Sequence, residues 1–146
     1  MKSRHLIFLV AFSVLISCKK DPFINLSMKE KITEHSWQLS KAEIRIDGVW
    51  ENYDPIKPCE FDDIYTFEND GTLIHAFGNL KCSTWGDEDQ PRVTSWSLSA
   101  DERSISAGGP WGYGDQITIE SISDKQLILG LSFFTNQPER YVFVKP

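Results

Sequence analysis

The chain has 146 residues, a quarter of them charged, and a formal net charge of −6 at pH 7. This length allows one domain and little more. Nucleic-acid binding needs clustered Lys and Arg, which an acidic chain of this kind does not offer, so no nucleic-acid partner is expected.

The first 17 residues are predicted to be a signal peptide. Lys2 and Arg4 precede the apolar run "LIFLVAFSVLI". The run is shorter than the ~20 apolar residues that a membrane-spanning helix needs, but it has the length of a signal-peptide hydrophobic region. It leads into "LISC", which ends at Cys18 and resembles the lipobox of bacterial lipoproteins. The resemblance implies cleavage before Cys18 and lipidation of that cysteine.

This interpretation divides the chain into residues 1–17 (signal peptide), 18–27 (lipidated cysteine and tether) and 28–146 (one folded domain). The domain would be exported and held to the outer membrane by acyl chains. It would face either the periplasm or the cell surface. Without Lys2 and Arg4, 13 basic residues remain against 21 acidic ones, a formal charge of −8. Such a charge gives no electrostatic attraction to anionic lipid, so the lipid at Cys18 would be the membrane contact.

One short helix and eight strands are predicted after the tether. Ser27 and Glu30 have capping-box spacing, which predicts a helix start at Ser27. Alternating apolar residues between turn signals predict antiparallel strands, each with one buried face. The alternation changes parity near residues 40–42, which predicts a bulge in the first strand. The predicted strands are residues 36–46, 63–68, 72–77, 93–99, 104–107, 116–121, 126–133 and 140–146.

Short connections predict that each strand pairs with the next. Eight strands in such an up-and-down arrangement avoid exposed edges by closing into a barrel. The predicted fold is therefore an all-β, eight-stranded antiparallel β-barrel with a short N-terminal helix. A barrel of this size is wide enough either to be filled by side chains or to hold one small ligand.

The chain resembles the lipocalin-like domain of small Gram-negative bacterial lipoproteins from about Ile32 onward. The resemblance is carried by the lipobox, the first-strand Trp37, the block "CEFDDIYTFENDGT", a second cysteine and "SWSL" around Trp96. It implies an eight-stranded lipocalin-type barrel without catalytic residues that binds a small apolar molecule or a partner. Lipocalins proper usually carry Gly two residues before this Trp, where the present chain has His35.

Two cysteines, Cys59 and Cys82, raise three alternatives: a metal site, a redox pair or a disulfide. Zinc sites combine closely spaced Cys and His pairs, and redox pairs use Cys-x-x-Cys, so neither template fits these positions. If residues 69–71 form a three-residue turn with Gly71 in a left-handed conformation, Glu68 faces Thr72. The two cysteines then lie almost opposite each other, which predicts a disulfide strapping a β-hairpin.

No metal, cofactor or catalytic residue is predicted. The carboxylates of Glu60, Asp62 and Asp63 lack the regular spacing of a calcium loop and are expected to be solvated turn residues. His75 alternates with apolar neighbours and is expected to line the barrel interior. The glycine-rich "GGPWGYG" lacks the Lys of a phosphate-binding loop and is expected to be a loop at the barrel mouth that carries Trp111 and Tyr113.

Two functions remain open. In the first, the barrel binds a small apolar or amphipathic molecule through inward-facing side chains. In the second, the barrel is filled and the protein is a non-enzymatic accessory lipoprotein that contacts a protein or glycan through loop aromatics, including Trp50, Trp85 and Trp111. The inward candidates of the first hypothesis are Trp37, Tyr65, Phe67, His75, Phe77, Trp96, Tyr141 and Phe143.

Overall fold

The computed structural model describes residues 22–53, 57–82, 89–108, 116–131 and 137–146. Cys18, Trp85, Trp111 and Tyr113 lie outside these residues, so the predictions that concern them are not addressed by the structure. The described chain contains the helix α1 (Met28–Thr33), two 3₁₀ segments (Pro22–Asn25 and Pro58–Asp62) and nine strands. The strands are β1 (Ser36–Ile46), β2 (Val49–Asn52), β3 (Ile64–Phe67), β4 (Thr72–Ala76), β5 (Arg92–Leu98), β6 (Ser104–Ala107), β7 (Gln116–Ile122), β8 (Gln126–Leu131) and β9 (Glu139–Val144).

The strands form one antiparallel sheet that closes on itself. From β3 to β9 each strand pairs with the next, and β9 pairs back onto β1. β1 also pairs with β3, so eight strands complete the ring. The predicted eight-stranded antiparallel barrel with one short helix is confirmed. The predicted bulge in β1 is confirmed as well, because the register with β9 shifts between Leu39 and Lys41.

The strand β2 was not predicted. It forms a hairpin with the second half of β1, in which Val49 pairs with Ile46 and Asn52 with Glu43. Asp47 and Gly48 both have positive φ (49° and 84°), as a tight two-residue hairpin turn requires. None of the residues of β2 is buried, so its sequence lacks the alternation of apolar and polar residues that predicted the other strands. Trp50, which was expected outside the strands, therefore lies in β2.

The helix α1 closes one end of the barrel. Its capping box is formed as predicted, with the Ser27 N–H donating to Glu30 Oε2 at 2.7 Å and the Glu30 N–H donating to Ser27 Oγ at 3.2 Å. Ile32 is fully buried, and its carbonyl accepts the indole N–H of Trp37 at 2.8 Å. The helix is thereby fixed against the start of β1.

The half of the barrel next to α1 is filled by side chains. Successive inward positions meet across neighbouring strands: Trp37 faces Tyr65, Phe67 faces Leu73, and Phe143 lies between Leu39 and Leu127. The largest side chains of this half are almost completely removed from solvent: Trp37, Phe67, Leu73, Leu127 and Phe143. This packing supplies the hydrophobic core.

The disulfide between Cys59 and Cys82 is formed, with 5.2 Å between the two Cα atoms. The hairpin register that predicted it is confirmed, since Ile64 pairs with Ala76 and Gly71 has a φ of 91°. One detail differs from the expectation. Cys59 lies in the 3₁₀ segment before β3, and β4 ends at Ala76, so the disulfide joins two connections beyond the paired strands.

In the parts of the chain that the structure describes, no helix is both long and apolar enough to span a bilayer.

Replacing both cysteines with serine is expected to lower the free energy of unfolding by about 3 kcal/mol, because the bridge closes a loop between residues 23 positions apart. Urea unfolding of oxidised wild type and the double variant measures the difference. Wild type unfolded in the presence of reductant is the control and should match the variant. Equal stability of oxidised wild type and variant would contradict the assigned role of the bridge.

Candidate functional site

The end of the barrel opposite α1 is called the mouth. At this end β4, β6 and β8 finish and β3, β5, β7 and β9 begin. Inward side chains here include polar groups and partly buried rings beside the buried apolar side chains of Ile44 and Leu131. The mouth cluster consists of Glu60, Asp63, Tyr65, His75, Phe77, Glu139 and Tyr141.

A buried hydrogen-bonded pair, His75 and Asp63, lies at the centre of the mouth cluster. His75 Nε2 is 2.7 Å from Asp63 Oδ2, and the two residues are 5% and 2% exposed. The backbone N–H of Gly78 donates to the other oxygen, Asp63 Oδ1, at 2.9 Å. A carboxylate only accepts hydrogen bonds, so the hydrogen shared with it belongs to His75 Nε2.

The local sequence places this pair by simple alternation. His75 follows Leu73 by two residues on the inward face of β4 and pairs with Tyr65 across the hairpin. Asp63 precedes Tyr65 by two residues and continues the inward parity of β3 beyond its first residue. A side chain on Gly78 would meet the Asp62 carboxylate, which would then have to move, whereas glycine leaves both in place while its N–H donates to Asp63.

Two aromatic rings hold the imidazole in place. The Tyr65 ring is stacked on His75 with 4.5 Å between centroids and 12° between planes, and the Phe77 ring is tilted against it at 4.5 Å. In the described part of the chain His75 Nδ1 is buried and has no hydrogen-bond partner. With hydrogen on Nε2, this nitrogen is an acceptor that needs a donor from outside the described protein groups.

Carboxylates dominate the electrostatics of the mouth. Burial raises the pKa of Glu60, and the negative charge of Asp63 raises it further. Burial also raises the pKa of the Tyr65 hydroxyl, with Asp63 and Glu60 adding to the effect. The pKa of Tyr141 is raised to about 12 by burial and then by Glu139. The carboxylates of Glu60, Asp63 and Glu139 thus each lie close enough to a neighbouring residue of the mouth cluster to raise its pKa.

The described residues offer no metal centre: no group of three or more His, Cys, Asp or Glu among them is arranged to hold an ion. Two surface depressions lie elsewhere on the barrel. One of about 420 Å³ lies at the α1 end beside Lys29, Gly71 and Leu98. Another of about 340 Å³ lies against β5 and β6 and is lined largely by serines. Neither is lined by a residue of the mouth cluster.

The family model of the lipocalin-like domain matches residues 33–129, which is more than half of the chain. The chain belongs to the lipocalin-like domain family. Searches among curated proteins and among solved structures find no significant match. The lipocalin-like barrel is a small-molecule-binding fold that is typically non-enzymatic.

The structure divides the inward residues predicted for this lipocalin-like barrel into two groups. Trp37, Phe67, Trp96 and Phe143 are buried in the hydrophobic core, where they pack against other protein side chains. The other four lie in the mouth cluster: Tyr65, His75, Phe77 and Tyr141. Tyr65 also belongs to the hydrophobic core, and Tyr141 packs against it.

The expectation that Asp63 is a solvated turn residue is wrong, because only 2% of it is exposed. Glu139, which is also 2% exposed, was not predicted as an inward residue. A signal for both was available. Asp63 has the same parity as Tyr65, and Glu139 has the same parity as Tyr141 and Phe143. An acidic residue that continues an inward alternation at a strand start indicates a position inside the mouth.

Replacing Asp63 with alanine is expected to lower the free energy of unfolding by about 3 kcal/mol, because the N–H groups of His75 and Gly78 lose their acceptor in a buried place. Asp89→Ala is the control, since the Asp89 side chain is 84% exposed, and it should change stability by less than about 0.5 kcal/mol. Urea unfolding measures both. Similar small losses in the two variants would contradict a structural role for the buried pair.

Proposed function

We propose that this lipocalin-like protein binds one small apolar or amphipathic molecule in the mouth half of its barrel. The observation that carries the proposal is the set of polar groups and partly exposed rings that line the mouth. The half next to α1 is filled, whereas the mouth combines partly exposed aromatic rings with a buried imidazole nitrogen that has no partner in the described chain.

The partly buried aromatic side chains would supply the apolar contact area. Phe61, Phe77 and Tyr141 are each intermediate in exposure, and Phe61 and Tyr141 pack against the hydrophobic core. Large rings of this kind contribute most of the contact energy in small-ligand sites. A ligand that covers them removes apolar surface from water, which supports binding at about 25 cal/mol per Å².

A polar group fixed among apolar walls would supply orientation. Small-molecule sites combine mostly apolar linings with a few well-placed hydrogen-bonding groups. His75 has this character, because Asp63 holds one nitrogen and the rings of Tyr65 and Phe77 hold the plane. The proposal is for a binding protein, with no reaction assigned to the site.

We further propose that the protein acts outside the cytoplasmic membrane, anchored by lipid on Cys18. The order of charge, apolar run and "LISC" at the N-terminus supports this, and a disulfide is typical of exported proteins. Intact mass of the protein purified from its host membranes should show residues 18–146 with acyl chains. A full-length, unacylated chain would contradict the anchor.

Binding is tested by titrating the soluble domain, residues 22–146, with the neutral fluorescent probe N-phenyl-1-naphthylamine. We expect saturable binding of one probe per chain. Phe77→Ala should weaken it about 5- to 20-fold, because the variant removes an aromatic contact at the mouth. Leu98→Ala is the matched control, since Leu98 is also partly buried but lies at the α1 end, and it should leave the affinity unchanged.

The absence of saturable binding would contradict the proposal. It would favour the second hypothesis, an accessory protein that contacts a protein or glycan partner. Equal weakening by Phe77→Ala and Leu98→Ala would also contradict it, because a general loosening of the barrel would then explain both effects.

A further inference from the structure

We infer that the ligand presents a hydrogen-bond donor without negative charge, a hydroxyl or an ammonium group, to His75 Nδ1, and that carboxylate ligands are rejected. The inference rests on the proposed function and specifies the polar end of the ligand. It follows from two independent features of the mouth: the hydrogen-bonding state of one nitrogen and the sign of the surrounding charge.

The first feature is the state of His75. Asp63 accepts from Nε2 at 2.7 Å and from the Gly78 N–H at 2.9 Å, so both carboxylate oxygens are used as acceptors. In the neutral imidazole this arrangement places the hydrogen on Nε2 and leaves a lone pair on Nδ1. A buried acceptor without a partner is costly, and a ligand that donates to it removes that cost. A ligand group that can only accept does not.

The second feature is the charge of the mouth. Glu60, Asp63 and Glu139 bring carboxylates to this space from the connection before β3 and from the start of β9. The raised pKa values of Glu60 and Tyr141 have these carboxylates among their causes. A further negative charge would be repelled here, whereas a neutral donor or a cation would not.

Two cationic side chains lie near the mouth, and their charge would favour a negatively charged ligand. The Arg92 guanidinium lies 5.0 Å from the centroid of the Phe77 ring, and Lys57 acts electrostatically on Glu60. Both residues are exposed to solvent, so water screens their charges. Among the described residues, the buried groups next to the imidazole are Asp63, Tyr65 and the half-buried Glu60, none of them a cation. Arg92 pairs with His75 across β4 and β5 but is exposed. The position of the buried groups beside the imidazole favours a ligand whose inner end carries a hydrogen-bond donor.

The test displaces N-phenyl-1-naphthylamine from the same soluble domain at pH 7 with compounds that share one decyl chain. The competitors are 1-decanol, decylamine, decyl methyl ether and decanoate. We expect 1-decanol and decylamine to displace the probe at least tenfold more effectively than decanoate. The ether accepts but cannot donate, so it should be about 3- to 10-fold weaker than the alcohol, the worth of one hydrogen bond.

A charge variant separates the two features. Glu60→Gln should strengthen decanoate relative to 1-decanol severalfold, because it removes one carboxylate and keeps Nδ1 as an acceptor. Glu68→Gln makes the same change at an exposed position at the α1 end and is the control. The selectivity for the alcohol over the ether should persist in both variants.

Three outcomes overturn the inference. Decanoate binding as tightly as 1-decanol, with the affinity lost in Arg92→Ala, would place an anionic head at the rim. Equal affinity of the alcohol and the ether would exclude Nδ1 as the acceptor. Failure of the probe itself to bind would overturn the proposed function, and the inference with it, whereas the first two outcomes would leave the proposed function standing.

Discussion

Strand β1 contacts three other strands, and the barrel depends on these pairings. Its first residues pair with β3, its middle pairs with β9, and its last residues pair with β2. Without the β1–β9 pairing the sheet would have two exposed edges. The β1–β9 pairing is called the seam. On its outer face, the Glu43 carboxylate accepts hydrogen bonds from Arg140 of β9 at 2.6 Å and from Lys41 at 2.7 Å, which stabilises the pairing.

The outer face of the seam also explains the position of Trp50. The Arg140 guanidinium lies 4.1 Å from the centroid of the Trp50 ring, so β2 and β9 are joined across β1 by a cation–π contact. Arg140 thus contacts both the carboxylate of Glu43 and an aromatic ring. The β1–β2 hairpin is held to the barrel by these contacts, and Trp50 has a structural partner within the chain.

The β1–β9 pairing closes the barrel and so encloses an interior with two ends, one next to α1 and one at the mouth. The helix α1 and the large side chains of Trp37, Phe67 and Phe143 fill one half. Ala42 and Tyr141 pair where β1 and β9 approach the mouth, and beyond them Ile44 pairs with Glu139. The inward side chains at this level are mixed, since Tyr141 and Glu139 are polar whereas Ile44 is apolar and buried. Polar groups thus join the apolar lining toward the mouth, where the proposed ligand would bind.

The fold could be predicted from the sequence because period-two alternation records burial directly. The same alternation located Tyr65, His75 and Tyr141 on inward faces, and the Gly71 turn fixed the register that brings Cys59 near Cys82. β2 could not be found this way, since neither of its faces is buried and only Asp47-Gly48 marks its turn. The partner of His75 was missed although Asp63 shares the inward parity of Tyr65, because an acidic residue at this place is typical of a solvated turn.

The proposed ligand site depends most directly on which nitrogen of the His75 imidazole carries hydrogen. Long-range ¹H–¹⁵N correlation spectroscopy can follow both ring nitrogens during a titration with 1-decanol, with His35 near α1 as an internal reference. We expect hydrogen on Nε2 throughout, and a saturable shift of the Nδ1 resonance as it accepts the ligand hydroxyl, while His35 remains unchanged. Hydrogen on Nδ1, or an Nδ1 resonance that does not move at saturating ligand, would contradict the account.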